Sequence, residues 1–237
     1  MKNIVFLGLL SASLLSPLHA QGMKVRIRLL AFSSSLEAAE VFAQDPAAEP
    51  TAASTKADIK GYLNRDSVTL SLKSNKVVFT TKPDRPSMTR EGETIADVGF
   101  PGSPATALLV FLPAKEGGKA KSQVMVIDDS KRAFPAGSFN ITNLSSSPIK
   151  LILEGKEFDF PPGQNKLIDN IPADAHGEIG MKAWALQDGK PGLIASSIWT
   201  KPKATRSVIV FYLDESGTLR LQAFDDVSPQ DPPPAAP

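Results

Sequence analysis

Leu108-Leu109-Val110-Phe111-Leu112 leads through a Lys/Gly-rich turn into Val124-Met125-Val126-Ile127 and ends at Asp128-Asp129-Ser130. Val208-Ile209-Val210-Phe211-Tyr212 leads through Asp214-Glu215-Ser216-Gly217 into Leu219-Arg220-Leu221-Gln222-Ala223-Phe224 and ends at Asp225-Asp226. Both first arms are apolar at every position, as a strand covered on both faces requires. Upstream the likeness continues: Arg26 to Ser35, with its closing Ser33-Ser34-Ser35, reads like Phe139 to Ser147, with Ser145-Ser146-Ser147. A unit that recurs within one chain fixes the architecture before any other signal. Here it predicts two copies of one β module in tandem.

Strand signals recur along both copies. Lys24-Val25-Arg26-Ile27-Arg28-Leu29 alternates apolar and charged residues, the pattern of a half-covered strand. Val68 to Leu72 and Val77 to Thr81 flank Ser74-Asn75-Lys76 and read as a hairpin. Similar pairs surround Glu154-Gly155-Lys156, Asp188-Gly189 and Ser216-Gly217. Leu36 to Ala43 has the Ala and Glu content of a helix, but the repeat aligns it with the strand-like Pro148 to Leu153; strand is expected for 40–43, with 36–39 left open. The expected organisation is a signal peptide at 1–20, a first module over 21–130 with long loops at 45–57 and 82–104, a second module over 131–228, and a Pro-rich tail at 229–237. The fold class is all-β, two tandem immunoglobulin-like β-sandwiches of about 100 residues each, packed together. A closed barrel is the alternative for each module.

Met1-Lys2-Asn3, the apolar run Ile4 to Leu15 and the small residue Ala20 make a secretory leader, too short for a membrane-spanning helix. The chain has no cysteine, which removes disulfides, thiolate chemistry and the lipid-bearing cysteine of a lipoprotein. Export without cysteine points to a bacterial periplasm or cell surface. Once Lys2 leaves with the leader, the 26 basic residues become equal in number to the 25 acidic ones. Neutrality argues against nucleic acid, whose binding needs a positive surface. It also gives no reason to invoke anionic lipid.

Few residue patterns suggest chemistry. The pairs Asp128-Asp129 and Asp225-Asp226 each follow a strand; without further oxygen ligands in line they read as turn caps rather than a calcium site. His176, between Asp174 and Glu178, has no second histidine or cysteine for zinc and reads as surface loop. No Gly-x-Ser-x-Gly elbow is present. Lys24, Arg26 and Arg28 read as a solvated or edge-protecting stripe. Asn140 and Asn143 match the glycosylation sequon, which carries little meaning in a bacterial protein. Trp184 and Trp199 lie on opposite arms of the expected hairpin at 188–192; with Phe100 in a loop, they are the candidate ligand or interface aromatics.

Phe134-Pro135-Ala136-Gly137-Ser138, Asn143-Leu144-Ser145, Pro148 and Pro162-Gly163 resemble a pattern in exported immunoglobulin-like β-sandwich proteins of Gram-negative bacteria. Ile127 to Ser130 and Arg206 to Phe211 fit the same pattern. Some such proteins belong to type IV pilus or envelope gene clusters. The resemblance implies a structural or accessory envelope role and carries over no catalytic or binding residue. A pilin's long apolar N-terminal helix is absent from the pattern, so a pilus would be joined as a partner rather than as a subunit.

The expectation for function is therefore a non-enzymatic, exported protein working through contacts with an envelope or pilus-associated protein or with itself, including strand addition at a sheet edge. The alternative is a carbohydrate-binding module using Trp184, Trp199 or Phe100. No cofactor, metal or catalytic residue is expected, and no integral membrane segment after the leader. An enzyme built on clustered carboxylates is the third possibility.

Overall fold

A computed structural model describes residues 22–63, 66–114, 120–187, 190–214 and 216–227. The segment expected to be a leader (1–20), the turn expected at Asp188-Gly189 and the tail expected at 229–237 lie outside the described residues. Among the described residues, sixteen strands form four four-stranded sheets. The first module holds β1 (Met23–Ala31), β2 (Ala38–Gln44), β3 (Thr55–Ile59), β4 (Val68–Leu72), β5 (Lys76–Thr80), β6 (Thr94–Gly99), β7 (Thr106–Pro113) and β8 (Ser122–Asp128). The second holds β9 (Phe139–Asn143), β10 (Ile149–Leu153), β11 (Lys156–Phe160), β12 (Asn165–Ile168), β13 (Glu178–Gln187), β14 (Lys190–Thr200), β15 (Thr205–Leu213) and β16 (Leu219–Val227).

The strand orders are β3-β2-β5-β6 and β4-β1-β7-β8, then β12-β9-β15-β16 and β11-β10-β13-β14. Each strand of the first module thus has its counterpart eight strands later, and the tandem repeat seen in the sequence is a repeat of topology. The parallel pair β1–β7 recurs as β9–β15. Arg28 opposes Leu108 in the first pair and Asn140 opposes Val208 in the second, so Arg28 and Asn140 are equivalent positions. Phe32 N donates to Phe111 O at 2.9 Å, and its counterpart Leu144 N donates to Phe211 O at 2.8 Å.

The apolar runs of β7 and β15 dictate how the modules meet. Ala107, Leu109 and Phe111 enter the first module's core, and Ile209 and Phe211 enter the second's. The alternate residues Leu108, Val110, Leu112, Val208 and Val210 point the other way and pack against one another, with Leu30, Phe32, Ile127 and Phe134. The two central sheets therefore stack face to face, and the molecule is four sheets deep. The parting at 131–135 is part of this joint, since Phe134 is fully buried in it. At one end of the joint Phe32 meets Tyr212 edge-on, with ring centroids 4.8 Å apart.

Four local expectations are corrected. Ser74-Asn75-Lys76 is not a hairpin turn: β4 pairs with β1 in one sheet and β5 with β2 and β6 in the other, so the chain crosses the sandwich there. The loop expected over 82–104 contains a 3₁₀ turn at Arg85–Met88 and strand β6. Its Pro and Gly punctuation hid Ile95, Ala96 and Val98, which are buried against the first core. The Gln44 amide ties that turn to β2, donating to Thr80 Oγ1 at 2.8 Å and Ser87 Oγ at 3.0 Å. The loop expected over 45–57 ends earlier, because β3 begins at Thr55. Finally, β1 is a central strand rather than an edge, lying between β4 and β7, and Arg28 on it is buried. The open stretch 36–39 resolves into a 3₁₀ turn at Ser34–Leu36 followed by β2 from Ala38.

The expected turns at Glu154-Gly155 and Ser216-Gly217 each join two antiparallel neighbours, β10–β11 and β15–β16. Leu153 pairs with Lys156, leaving Glu154 (φ 44) and Gly155 (φ 76) as a two-residue loop with both φ positive, as a type I′ turn needs. In the β15–β16 turn, the half-buried Asp214 carboxylate accepts from Ser216 Oγ at 2.6 Å and Arg220 Nε at 2.9 Å. Chiefly these two hydrogen bonds lower its pKa to about 2.

Two outcomes follow from this arrangement. Leu108→Ala removes packing from the joint rather than from either core, and is expected to cost about 2–5 kcal/mol. Chemical denaturation should still show a single transition with coincident Trp fluorescence and circular dichroism. For Asp214, the folded-state pKa lies below the ordinary value near 3.9, so its contribution to stability is complete above that value and disappears as pH falls toward about 2. Carbonyl-detected NMR should find its midpoint near 2, and Asp214→Asn should flatten the acid dependence of stability between those limits.

Candidate functional site

Two places in the fold concentrate unusual side chains: a buried charge cluster in the joint and the outer face of the β13–β14 hairpin. The cluster forms because Arg28 and Arg206 occupy positions that point into the joint, on the same faces as Leu30 and Val208. Asp129 and Asp226 close it. Arg28 makes a two-bond contact with each aspartate: Nε to Asp129 Oδ2 at 2.8 Å and Nη2 to Oδ1 at 2.9 Å, then Nη1 to Asp226 Oδ1 at 2.9 Å and Nη2 to Oδ2 at 2.7 Å. Arg206 Nε donates to Asp226 Oδ2 at 3.0 Å, and its Nη2 donates to Asp129 Oδ1. Its Nη1 donates to the Phe134 carbonyl at 2.6 Å, and its guanidinium lies 4.3 Å from the Phe134 ring centroid.

Two cations and two anions cancel, and all four residues are buried. Burial alone would favour loss of the Arg28 charge, but the hydrogen bonds it donates to Asp226 and Asp129 outweigh it and raise its pKa above the ordinary value. Every member spans or approaches the joint, so the cluster binds one module to the other. Asp129 and Asp226 are equivalent in the repeat, whereas the arginines are not: Asn140 stands where Arg28 would recur, and Thr106 where Arg206 would. The capping role expected for the aspartate pairs belongs to Asp128, whose Oδ1 accepts from Ser130 N at 3.0 Å. Asp225 instead accepts from Ser207 Oγ at 2.6 Å. A duplicated Asp-Asp after equivalent strands was the available signal for the cluster. Nothing local marked Arg206 as a cluster member: it lies between Thr205 and Ser207 at the polar start of β15.

On the outer sheet of the second module, Ile179, Met181, Ala183 and Ala185 of β13 face the core. Gly180, Lys182, Trp184 and Leu186 therefore face outward. A register shift between Ala183 and Trp184 brings Leu193 opposite Trp184. Three of the exposed large apolar side chains belong to this hairpin: Leu186 at 51 %, Leu193 at 53 % and Ile198 at 70 %. Beside them a groove of about 560 Å³ is lined by Ile149, Ile152, Phe160, Pro161, Trp184 and Pro191. Lys150 and Asp159 supply its polar side. Asp159, Lys150, Trp184 and Leu193 form one row across the four strands. Lys150 Nζ contacts Glu157 Oε2 at 2.6 Å, a hydrogen bond that raises the lysine's pKa.

The three aromatics named from the sequence do not form one site. Trp184 is half-buried on the outer face. Trp199 points to the inner side and meets Phe139 edge-on at 5.5 Å. It closes a second groove of about 480 Å³ between β14 and β16, with Lys201, Lys203 and Asp225 at its rim. Phe100 is 1 % exposed in the first core and offers no face to a ligand; its chain neighbours Gly and Pro suggested a loop, but it packs beneath β5–β6. His176 is exposed in a turn whose Asp174 Oδ1 accepts from its N at 2.9 Å. The sequon Asn143 is fully buried, its amide donating to the Ser147 and Phe160 carbonyls at 2.8 Å each. Among the described residues no group of three or more His, Asp or Glu is placed to hold a metal ion, and no helix is long and apolar enough to cross a membrane.

No family model matches the sequence, and no curated protein matches it. The outer hairpin face offers apolar surface, with Lys150 and Asp159 as the charged groups beside it.

The cluster makes a testable demand. Removing one charge strands the opposite charges in the interior, so Asp226→Asn is expected to cost about 3–5 kcal/mol. Replacing all four (Arg28→Met, Asp129→Leu, Arg206→Met, Asp226→Leu) should recover most of that loss. Urea denaturation of the two variants checks both; a single-site cost below about 1 kcal/mol, typical of exposed pairs, would contradict the buried geometry.

Proposed function

We propose that the protein is a non-enzymatic, exported component of the bacterial envelope that acts by protein–protein contact, as an accessory of a pilus or other surface assembly. The observation that carries this reading is the outer face of β13–β14, where Trp184, Leu186, Leu193 and Ile198 gather exposed apolar surface on one side of a four-layer body. Contiguous apolar patches on a protein surface mark interaction sites. The joint supports the same reading, because a buried charge cluster and a shared apolar layer make the body rigid enough to present that face in a fixed direction. The leader-like N-terminus supports export, and the resemblance to envelope β-sandwich proteins supports the compartment.

A carbohydrate-binding role is the second reading. It is favoured by the row Asp159–Lys150–Trp184, an indole with charged hydrogen-bonding groups beside it, since aromatic faces stack on sugar rings.

Crosslinking in the native cells, followed by identification of what co-purifies, separates the two. The contact reading predicts a dominant envelope protein, recovered at least tenfold less with Trp184→Ala/Leu193→Ser. Recovery of polysaccharide alone, with quenching of Trp184 fluorescence by that polysaccharide, would replace it with the glycan reading.

A further inference from the structure

The eight sheet edges are not alike. β3, β6, β8, β11, β12 and β16 each carry at least one charged residue, and β4 is uncharged but only five residues long. β14 has eleven residues and, after Lys190, no charge up to Thr200. Its only proline, Pro191, lies at the hairpin end. Exposed edges normally carry charge, proline or brevity to prevent pairing with another chain. The stretch 195–200 has none of these, and the one bulge in β14, another edge-blunting device, lies before it at Ile194.

The ladder shows which groups are offered. Lys201 N donates to Gly177 O at 2.8 Å, in the register that pairs Thr200 with Glu178. On the other side of β13, Leu186 N donates to Pro148 O and Glu154 N to Gly180 O, so the even-numbered residues of β13 bond to β10. Residues of an antiparallel strand alternate between facing their partner and facing away. Trp199, Ser197 and Ala195 therefore face β13, and Ser196, Ile198 and Thr200 direct their N–H and C=O groups to the open side.

We infer that β14 pairs with β14 of a second copy of this chain, antiparallel about a two-fold axis at Ile198. The inference rests on the protein-contact reading and names its partner. In this register Ile198 opposes Ile198 of the partner, and Ser196 opposes Thr200, each pair using outward-facing groups. Lys201 falls opposite Ala195, and Lys190 lies beyond the paired segment, so no like charges meet. An axis moved to Ser196 would instead bring Lys201 against Pro191, which has no N–H to give, and would draw the irregular stretch beside the Ala183/Trp184 register shift into the ladder. The exposed Ile198 side chains meet on the outer face, and the two four-stranded sheets become one of eight strands. Such an interface is isologous, as a closed dimer requires.

The cysteine-free chain allows a clean test. Directly opposed residues in a hydrogen-bonded pair have Cα atoms about 5.5 Å apart, within disulfide reach. Ile198→Cys should therefore convert mainly to a disulfide-linked dimer on mild oxidation. Ser196→Cys and Thr200→Cys should each stay monomeric under denaturing conditions, because copies of either residue lie about 13 Å apart along the strands, yet the two mixed should crosslink. In sedimentation the unmodified chain should show a concentration-dependent dimer, and Ile198→Lys should give monomer that melts where the unmodified chain melts when dilute enough to be monomeric. A chain that stays monomeric, with Ile198→Cys crosslinking no better than Ser196→Cys, overturns the self-pairing. If that monomer still captures an envelope protein, the contact reading stands without it; a dimer that captures nothing leaves the self-pairing standing and removes the envelope partner.

Discussion

Two strands that are apolar on both faces set the terms for the whole molecule. Neither β7 nor β15 can be satisfied by a single sandwich, because half of each strand's side chains point away from the core of its own module. The cheapest cover available to each is the other. Leu108, Val110 and Leu112 of one strand and Val208 and Val210 of the other are buried together, so the two modules form a four-layer body. Burial of this kind is non-directional, and it would tolerate the central sheets sliding over one another.

Direction comes from the charges. Arg28 and Arg206 reach both Asp129 and Asp226, and each bond in the set has a fixed geometry. A slip of the sheets would leave several buried charges unpaired, which costs far more than a slipped apolar contact. The cluster thus selects one docking of the modules while adding little net stability of its own. The repeat supplied the two aspartates symmetrically, but the arginines sit at unrelated positions, so the modules are no longer interchangeable.

Much of this was legible in the sequence, and the unread parts share a cause. The repeat and the double-faced apolar runs reported periodicity, which is a local property, and they led to the number of modules and their contact. The turns at Glu154-Gly155 and Ser216-Gly217 were readable because their backbone conformations demand particular residues. What failed depended on partners distant in sequence. Ser74-Asn75-Lys76 has hairpin chemistry but joins two sheets; β6 lay among Pro and Gly punctuation; Arg28 had the alternation of a solvated stripe until a second module covered it. The site was split in the same way. Trp184 reached the surface, whereas Trp199 turned inward and Phe100 entered the core, because a shifted register and a neighbouring sheet decided which face each presents.

The outer hairpin and the joint are linked through rigidity, since an exposed edge can recruit a partner in a defined orientation only if the body behind it moves as one. Native-state hydrogen exchange tests that most directly. If the four layers form a single cooperative unit, the slowest amides of β7 and β15 will exchange with the same opening free energy and the same denaturant dependence, equal to those of global unfolding. If the strands of one module exchange at a lower free energy while the other module stays protected, the modules open independently and the account of the joint is wrong.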